Sequence, residues 1–225
     1  MLKKYHVTTE LRHEWYIFLI LLVVFLIGIF VYPHLPEKTA IHWNLEGKPD
    51  GYGSRFTGAF TIPLVTLGLY LLFLFLPLLD PRRDNYPQFA RTYRLIKLAF
   101  VLFMLGLHLL TLAFNLGYKV EISRFVTLGL GLLFTILGKG LPQIAPNYFV
   151  GIKTPWTLSS PHVWAQTHHL GGKLFFWSGL LVISSTILPD RPRFWIMMVL
   201  LIGSTLAATV YSYLSYRREQ QTKAE

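Results

Sequence analysis

Three groups of residues combine the types and spacing that recognition or proton chemistry needs. The first is Asn147, Gly151, Lys153, Thr154, Pro155 and Trp156. A lysine among backbone donors can meet an acidic partner, a headgroup or a regulator. Equally, Asn and Thr can bond their own backbone while Trp156 sits at headgroup level. Just beyond, Trp164, Thr167 and His168 fall at i, i+3 and i+4, one face of a helix. His168 and His169 diverge by about 100° on such a helix, so they read as packing rather than as a metal pair. The second group, His42, Trp43 and Asn44, has the composition of a recognition hot spot. Its plainer reading is a loop with Trp43 on the membrane interface and Asn44 capping a turn. The third, His108, Thr111 and Asn115, lies on one helical face inside an apolar run. That suits either a proton or ion relay or interhelical hydrogen bonds.

Catalysis finds no support. The acids Glu37, Glu46, Asp50, Asp80, Asp84, Glu121 and Asp190 are expected in loops or at span ends, with none inside a span. No H-E-x-x-H, G-x-x-x-x-G-K-[ST] or G-x-S-x-G pattern occurs. The chain has no Cys, which removes disulfides and thiolate chemistry. No enzyme, metal or cofactor is expected.

The elements that must position these groups are membrane spans. Of 225 residues 53% are hydrophobic and 14% charged, with a mean hydropathy of +0.45; a soluble domain carries nearer a quarter charged residues. The apolar excess predicts six spans, at residues 15–32, 57–79, 93–116, 124–141, 173–188 and 194–213. The fifth is short, and Lys173 would snorkel to fit it. No A-x-A site follows the first, so it reads as a retained span rather than a signal peptide. The net charge of +10 is scattered between spans, which speaks for membrane orientation and against direct nucleic-acid binding.

Basic residues place both termini in the cytoplasm. That orientation gathers inside Lys3, Lys4 and Arg12, then Arg82, Arg83, Arg91, Arg94 and Lys97, then Lys139, Lys153 and Lys173, then Arg217, Arg218 and Lys223. Lys38, Lys48, Arg55, Lys119, Arg124, Arg191 and Arg193 fall outside, an inward excess of about two to one. The fold expected is all-α: a polytopic bundle of six transmembrane helices.

Two connections are long enough to carry structure. The outer one, 33–56, should form a hairpin-like cap, with Ile41–Asn44 entering a turn at Pro49-Asp50-Gly51. The inner one, 141–172, holds Pro142, Pro146, Pro155 and Pro161, which forbid one continuous helix. Ser160-Pro161 reads as an N-cap and first position. A short interfacial helix at 161–170 should follow, anchored by Trp156 and Trp164 and stopped at Gly171-Gly172. In the last span, Gly203/Ala207 and Ser204/Ala208 are small-residue pairs that permit close helix contact. The chain divides into an N-terminal two-span module, 1–92, and a four-span region, 93–225.

The same two loops carry a family resemblance. Ile41-His42-Trp43-Asn44 with Gly47, Pro49-Asp50 and Tyr52 resembles an uncharacterised bacterial membrane module. Asn147-x-x-x-Gly151-Ile152-Lys153-Thr154-Pro155-Trp156-Thr157-Leu158, then Trp164-x-x-Thr167-His168 and Gly171-Gly172-Lys173-Leu174, resembles the SdpI family. Lys153 stands where arginine is expected, and Pro161-His162 where acids are common. Lysine keeps the charge but loses the bidentate fork. The resemblance implies a bacterial plasma-membrane immunity protein that protects against a secreted peptide toxin and holds a cytoplasmic repressor at the membrane. Two other readings stand beside it: a transporter or exporter lined by His108 and Asn115, and a scaffold binding anionic lipids through Arg82, Arg83 and Arg91.

Overall fold

Lipid offers a backbone no hydrogen-bond partners, so each apolar run must satisfy its own amides as a helix. The computed structural model describes residues 4–224, and Lys3 of the N-terminal basic group lies outside the described residues. Within them six helices are long and apolar enough to cross a membrane. They are α1 (Val7–Val31), α2 (Arg55–Leu79), α3 (Ala90–Asn115), α4 (Ile122–Gly140), α6 (Pro161–Ser184) and α7 (Asp190–Ala224); α5 (Pro155–Ser159) is a short turn of helix between α4 and α6. As an even number of long helices alternating in direction, they bring both described ends to one end of the bundle.

The expected cap between α1 and α2 is a two-stranded antiparallel hairpin, β1 (Thr39–Trp43) and β2 (Pro49–Gly53). Its turn is not at Pro49-Asp50-Gly51, which belongs to β2. The chain reverses at Asn44–Gly47, where Gly47 takes φ +69° and its amide donates to the Asn44 carbonyl at 3.0 Å. The Asn44 side-chain oxygen also accepts from the amides of Glu46 and Lys48, at 2.9 and 3.1 Å. One asparagine thus supplies the turn that three other residues were expected to supply.

The bundle is apolar outside and partly polar inside, as a lipid solvent requires. Leu22, Leu26, Ile29, Leu181, Val199 and Leu206 face outward. Ile17, Leu21, Val24, Tyr70, Leu74, Val101 and Leu105 join α1, α2 and α3. Tyr86, Phe89, Tyr93, Leu141, Ile144, Trp164 and Phe175 pack at the face that holds the chain ends.

Three expectations are overturned. No helix stops at Gly171-Gly172: α6 runs unbroken from Pro161, so the short interfacial helix and the fifth span are one helix of 24 residues, about 36 Å at 1.5 Å per residue. The glycines serve close approach instead. A Cβ at Gly172 would lie 2.8 Å from the Gly138 carbonyl, and one at Gly138 would lie 2.3 Å from the Phe176 amide nitrogen. Trp164 is not an interface anchor, being 2% exposed with Nε1 donating to the Ile144 carbonyl at 2.8 Å. Finally, α1 begins at Val7 rather than residue 15, which brings Glu10 and Glu14 inside the bundle, both buried. Acids do enter the bundle after all.

In α7, Ser204 and Ala208 are buried, while Gly203 is exposed and nothing approaches its Cβ position within 4 Å. We expect Gly138→Leu to force α4 from α6 and lower stability by about 1–3 kcal/mol, the usual cost of overpacking. Gly203→Leu should leave the thermal unfolding midpoint in detergent unchanged.

Candidate functional site

The predicted residues gather into two caps and one buried strip. On the hairpin cap, His42 is exposed and its Nδ1 pairs with Asp50 across the strands. Trp43 is half-buried and meets Phe114 of α3 edge-on at 5.4 Å. Two anchors hold the hairpin down. The Asn115 side chain accepts from the Ala40 amide at 2.7 Å and donates to its carbonyl at 3.0 Å, as a neighbouring strand would. At the turn, Glu46 pairs with Arg191 at 2.6 Å. The Arg191 hydrogen bond and charge hold the Glu46 carboxyl below its ordinary value of 4.5. Asn115, expected among relay or packing groups, is thereby a clamp for the hairpin.

The opposite cap is bolted to the connection between α2 and α3. Asn147 is fully buried: its oxygen accepts from the amides of Phe149 and Val150, and its amide donates to the carbonyls of Ala145 and Val150. Asp80 accepts from the Tyr148 amide at 2.9 Å and the Tyr86 hydroxyl at 3.0 Å. Arg82 donates to the Leu158 carbonyl and lies 5.0 Å from the Tyr148 ring centre. Gly151 has φ +111° and sits against His168, where a Cβ would lie 2.3 Å from Nε2. That Nε2 accepts from the Ile152 amide, while Nδ1 donates to the Trp164 carbonyl. Both ring nitrogens are spent on the fold. Trp164 stacks on the same ring, with centroids 4.0 Å apart.

Thr154 caps α5 and meets the Ser212 hydroxyl of α7 at 3.0 Å. Thr167 is buried with its hydroxyl unpartnered. Of this group Lys153 and Pro155 are exposed and Trp156 is half-buried against Tyr213. Lys153 Nζ donates to the Phe149 carbonyl at 2.7 Å. The surface offered here is therefore Tyr148, Lys153, Pro155 and Trp156, while Asn147, Thr154, Trp164 and His168 support it from beneath. Arg83 and Arg91 are exposed on the same end of the bundle.

Sequence reasoning named His108 and Thr111 of the buried strip but missed its charged part. Lys97, read as an orientation signal, is 1% exposed, and its Nζ bonds Glu14 at 2.7 Å. The Tyr70 hydroxyl donates to the same carboxylate at 3.1 Å, and the Tyr93 ring lies 4.8 Å from Nζ. Beside it Arg94 pairs with Glu10 at 3.2 Å. Lys97, Val101, Leu105 and His108 recur every three or four residues on one face of α3, and that spacing was the available signal. His108 is fully buried with both nitrogens unpartnered, and the Thr111 hydroxyl donates to the His108 carbonyl. Val101 and Leu105, packed in the apolar cluster, separate His108 from Lys97.

Two outcomes test these assignments. Lys97→Met strands a buried carboxylate and should cost about 3–5 kcal/mol, whereas Glu14→Leu with Lys97→Met should be milder than either single change; thermal unfolding in detergent reads both. Because the Glu46 carboxyl is depressed by Arg191, its contribution is complete above 4.5 and lost as pH falls through its lowered value. The protection factors of the amides at residues 44–48 should therefore fall on acidification below that value, and Arg191→Gln should shrink the pH step.

Comparison with known proteins finds two matching family models. Residues 19–67 match a Domain of unknown function (DUF1648), and residues 143–212 match the SdpI/YfhL protein family. The chain is 28% identical over 200 residues to Immunity protein SdpI of Bacillus subtilis (strain 168), covering 89% of this chain and 94% of that protein. No solved structure matches it. With six apolar helices, the chain is a multi-pass cell-membrane protein whose region 143–212 matches the SdpI/YfhL protein family, as the Asn147–Leu174 motif had led one to expect.

Proposed function

We propose that this chain is a membrane immunity protein that protects a bacterial cell from a membrane-active peptide, without catalysis. The observation that carries this reading is full-length likeness to a protein named for immunity, in a bundle whose two ordered caps lie at opposite ends. The positive-inside excess supports placing the Lys153 cap in the cytoplasm and the hairpin outside. The hairpin offers His42 and neighbouring aromatic surface to a peptide entering the outer leaflet. The opposite cap offers Tyr148, Lys153, Pro155 and Trp156 to a cytoplasmic regulator.

The two ends communicate to the extent that a ligand prefers one arrangement of the bundle over another. The element spanning both is α3, clamped to the hairpin through Asn115 and to α1 through Lys97 and Arg94. Transport through the strip is not favoured by this arrangement, since Val101 and Leu105 close the space between His108 and Lys97.

Expression in a toxin-sensitive host, at equal abundance of every variant, provides the test. His42→Ala and Trp43→Ala should lower protection at least tenfold. Trp156→Ala should leave protection in place while weakening recruitment of the regulator, read as reporter induction. Full protection by both hairpin variants would sink the reading.

A further inference from the structure

Helices α4 and α6 meet backbone to backbone where Gly138 faces Gly172, since a Cβ on Gly172 would lie 2.8 Å from the Gly138 carbonyl. The next residue of each helix is a lysine, Lys139 and Lys173, and both are exposed. They line one groove together with His169, Phe176 and Trp177. Lys139 leans across the joint, its Nζ 5.5 Å from the Phe176 ring centre on α6. Among the described residues neither lysine pairs with a carboxylate, and no acid lines the groove. Two like charges held at one place by a backbone contact repel each other. An anion between them removes that cost.

The groove has a definite depth in the bilayer. Residues 125–138 of α4 and 174–188 at the far end of α6 carry no charge; Lys139 ends the first run and Lys173 begins the second. Both ammonium groups therefore sit where hydrocarbon gives way to headgroups. His169, Lys173 and Trp177 recur every four residues on one face of α6. His169 lies on the polar side of Lys173, and Trp177 one turn into the apolar side, 62% exposed. The rim is cationic, and the wall beneath it is aromatic and turned to lipid. A free phosphate would answer the rim and leave the wall bare. An anion that carries its own hydrocarbon answers both.

We propose that this groove holds one anionic phospholipid of the leaflet next to the chain ends, its phosphate between Lys139 and Lys173 and an acyl chain along Phe176 and Trp177. The inference is independent of the immunity reading. It also differs in place from a lipid contact through Arg82, Arg83 and Arg91, and Arg82 is already committed to the Leu158 carbonyl and the Tyr148 ring. From the groove, α6 continues to His168 and Trp164, which hold the backbone of the inner cap through the Ile152 amide and the Ile144 carbonyl. A lipid seated there braces α4 against α6 directly beneath that cap.

The test uses the full chain in detergent micelles, native mass spectrometry, and an equimolar mixture of dioleoyl phosphatidylglycerol and dioleoyl phosphatidylcholine. Wild type should retain one phosphatidylglycerol over phosphatidylcholine by roughly tenfold, as two lysines at headgroup level allow. Phosphatidylglycerol should also raise its thermal unfolding midpoint more than phosphatidylcholine does. Lys139→Gln and Lys173→Gln, on separate helices, should each lower the preference severalfold and together erase it, so that one misfolded variant does not decide the matter. Lys139→Arg with Lys173→Arg should keep it. Arg83→Gln with Arg91→Gln removes the same charge from the same end of the bundle and should leave the preference intact. Equal retention of the two lipids by wild type would overturn the assignment. So would a preference unchanged in either folded Lys→Gln variant, lost from the double arginine protein, or lost equally from the Arg83 and Arg91 pair. Displacement of the bound lipid by glycerol phosphate would overturn it too, because the groove would then be reading the phosphate alone.

Discussion

A hydrocarbon solvent accepts no hydrogen bonds, and every polar group carried into it must be answered from within the chain. That constraint explains where this protein spends its polar residues. Glu14 Oε2 and Lys97 pair between α1 and α3, with the Tyr70 hydroxyl donating to the same oxygen and the Tyr93 ring beside the ammonium. Neither charge would be tolerable alone at such burial. The pair fixes the relation of the first helix to the third. That relation in turn sets the apolar layer of Val101 and Leu105 and the height at which Asn115 meets the hairpin.

The same constraint governs the two caps. Strands outside a larger sheet leave edges unpaired, and Asn115 satisfies one such edge by presenting its amide to Ala40 as a strand would. At the other end, an irregular chain from Leu141 to Thr154 would expose many backbone groups. Asn147, Asp80, Asn85, His168 and Trp164 each take one or more of them. Most of these side chains are buried and face the backbone. The residues that make this region distinctive in sequence are in large part the ones that make it foldable.

Function, on this view, resides in what the scaffold leaves unanswered. Lys153 and Trp156 at one end, His42 and Trp43 at the other, retain capacity for something beyond the chain. Between them α3 runs the length of the bundle and touches both systems. On the proposed reading, a peptide bound at the hairpin would act on an element already under defined restraint, which is the physical condition for a signal to pass.

Apolar run length alone determined that six helices would cross the membrane, and proline spacing determined that residues 141–160 would not be one of them. Ser160-Pro161 marked the start of α6, and Ile41–Asn44 marked β1, because capping and strand chemistry are local. Tertiary structure decided the rest. Gly171-Gly172 could end a helix or admit a neighbour, and only the approach of α4 selects the second. Pro49-Asp50-Gly51 has turn chemistry, yet Asn44 won the turn once β1 and β2 were in register. Glu14 and Lys97 each look like a residue at a span end until helix packing places them side by side, 83 positions apart in the chain. A composition scan weighs each residue against solvent singly, whereas burial of a charge is a property of two.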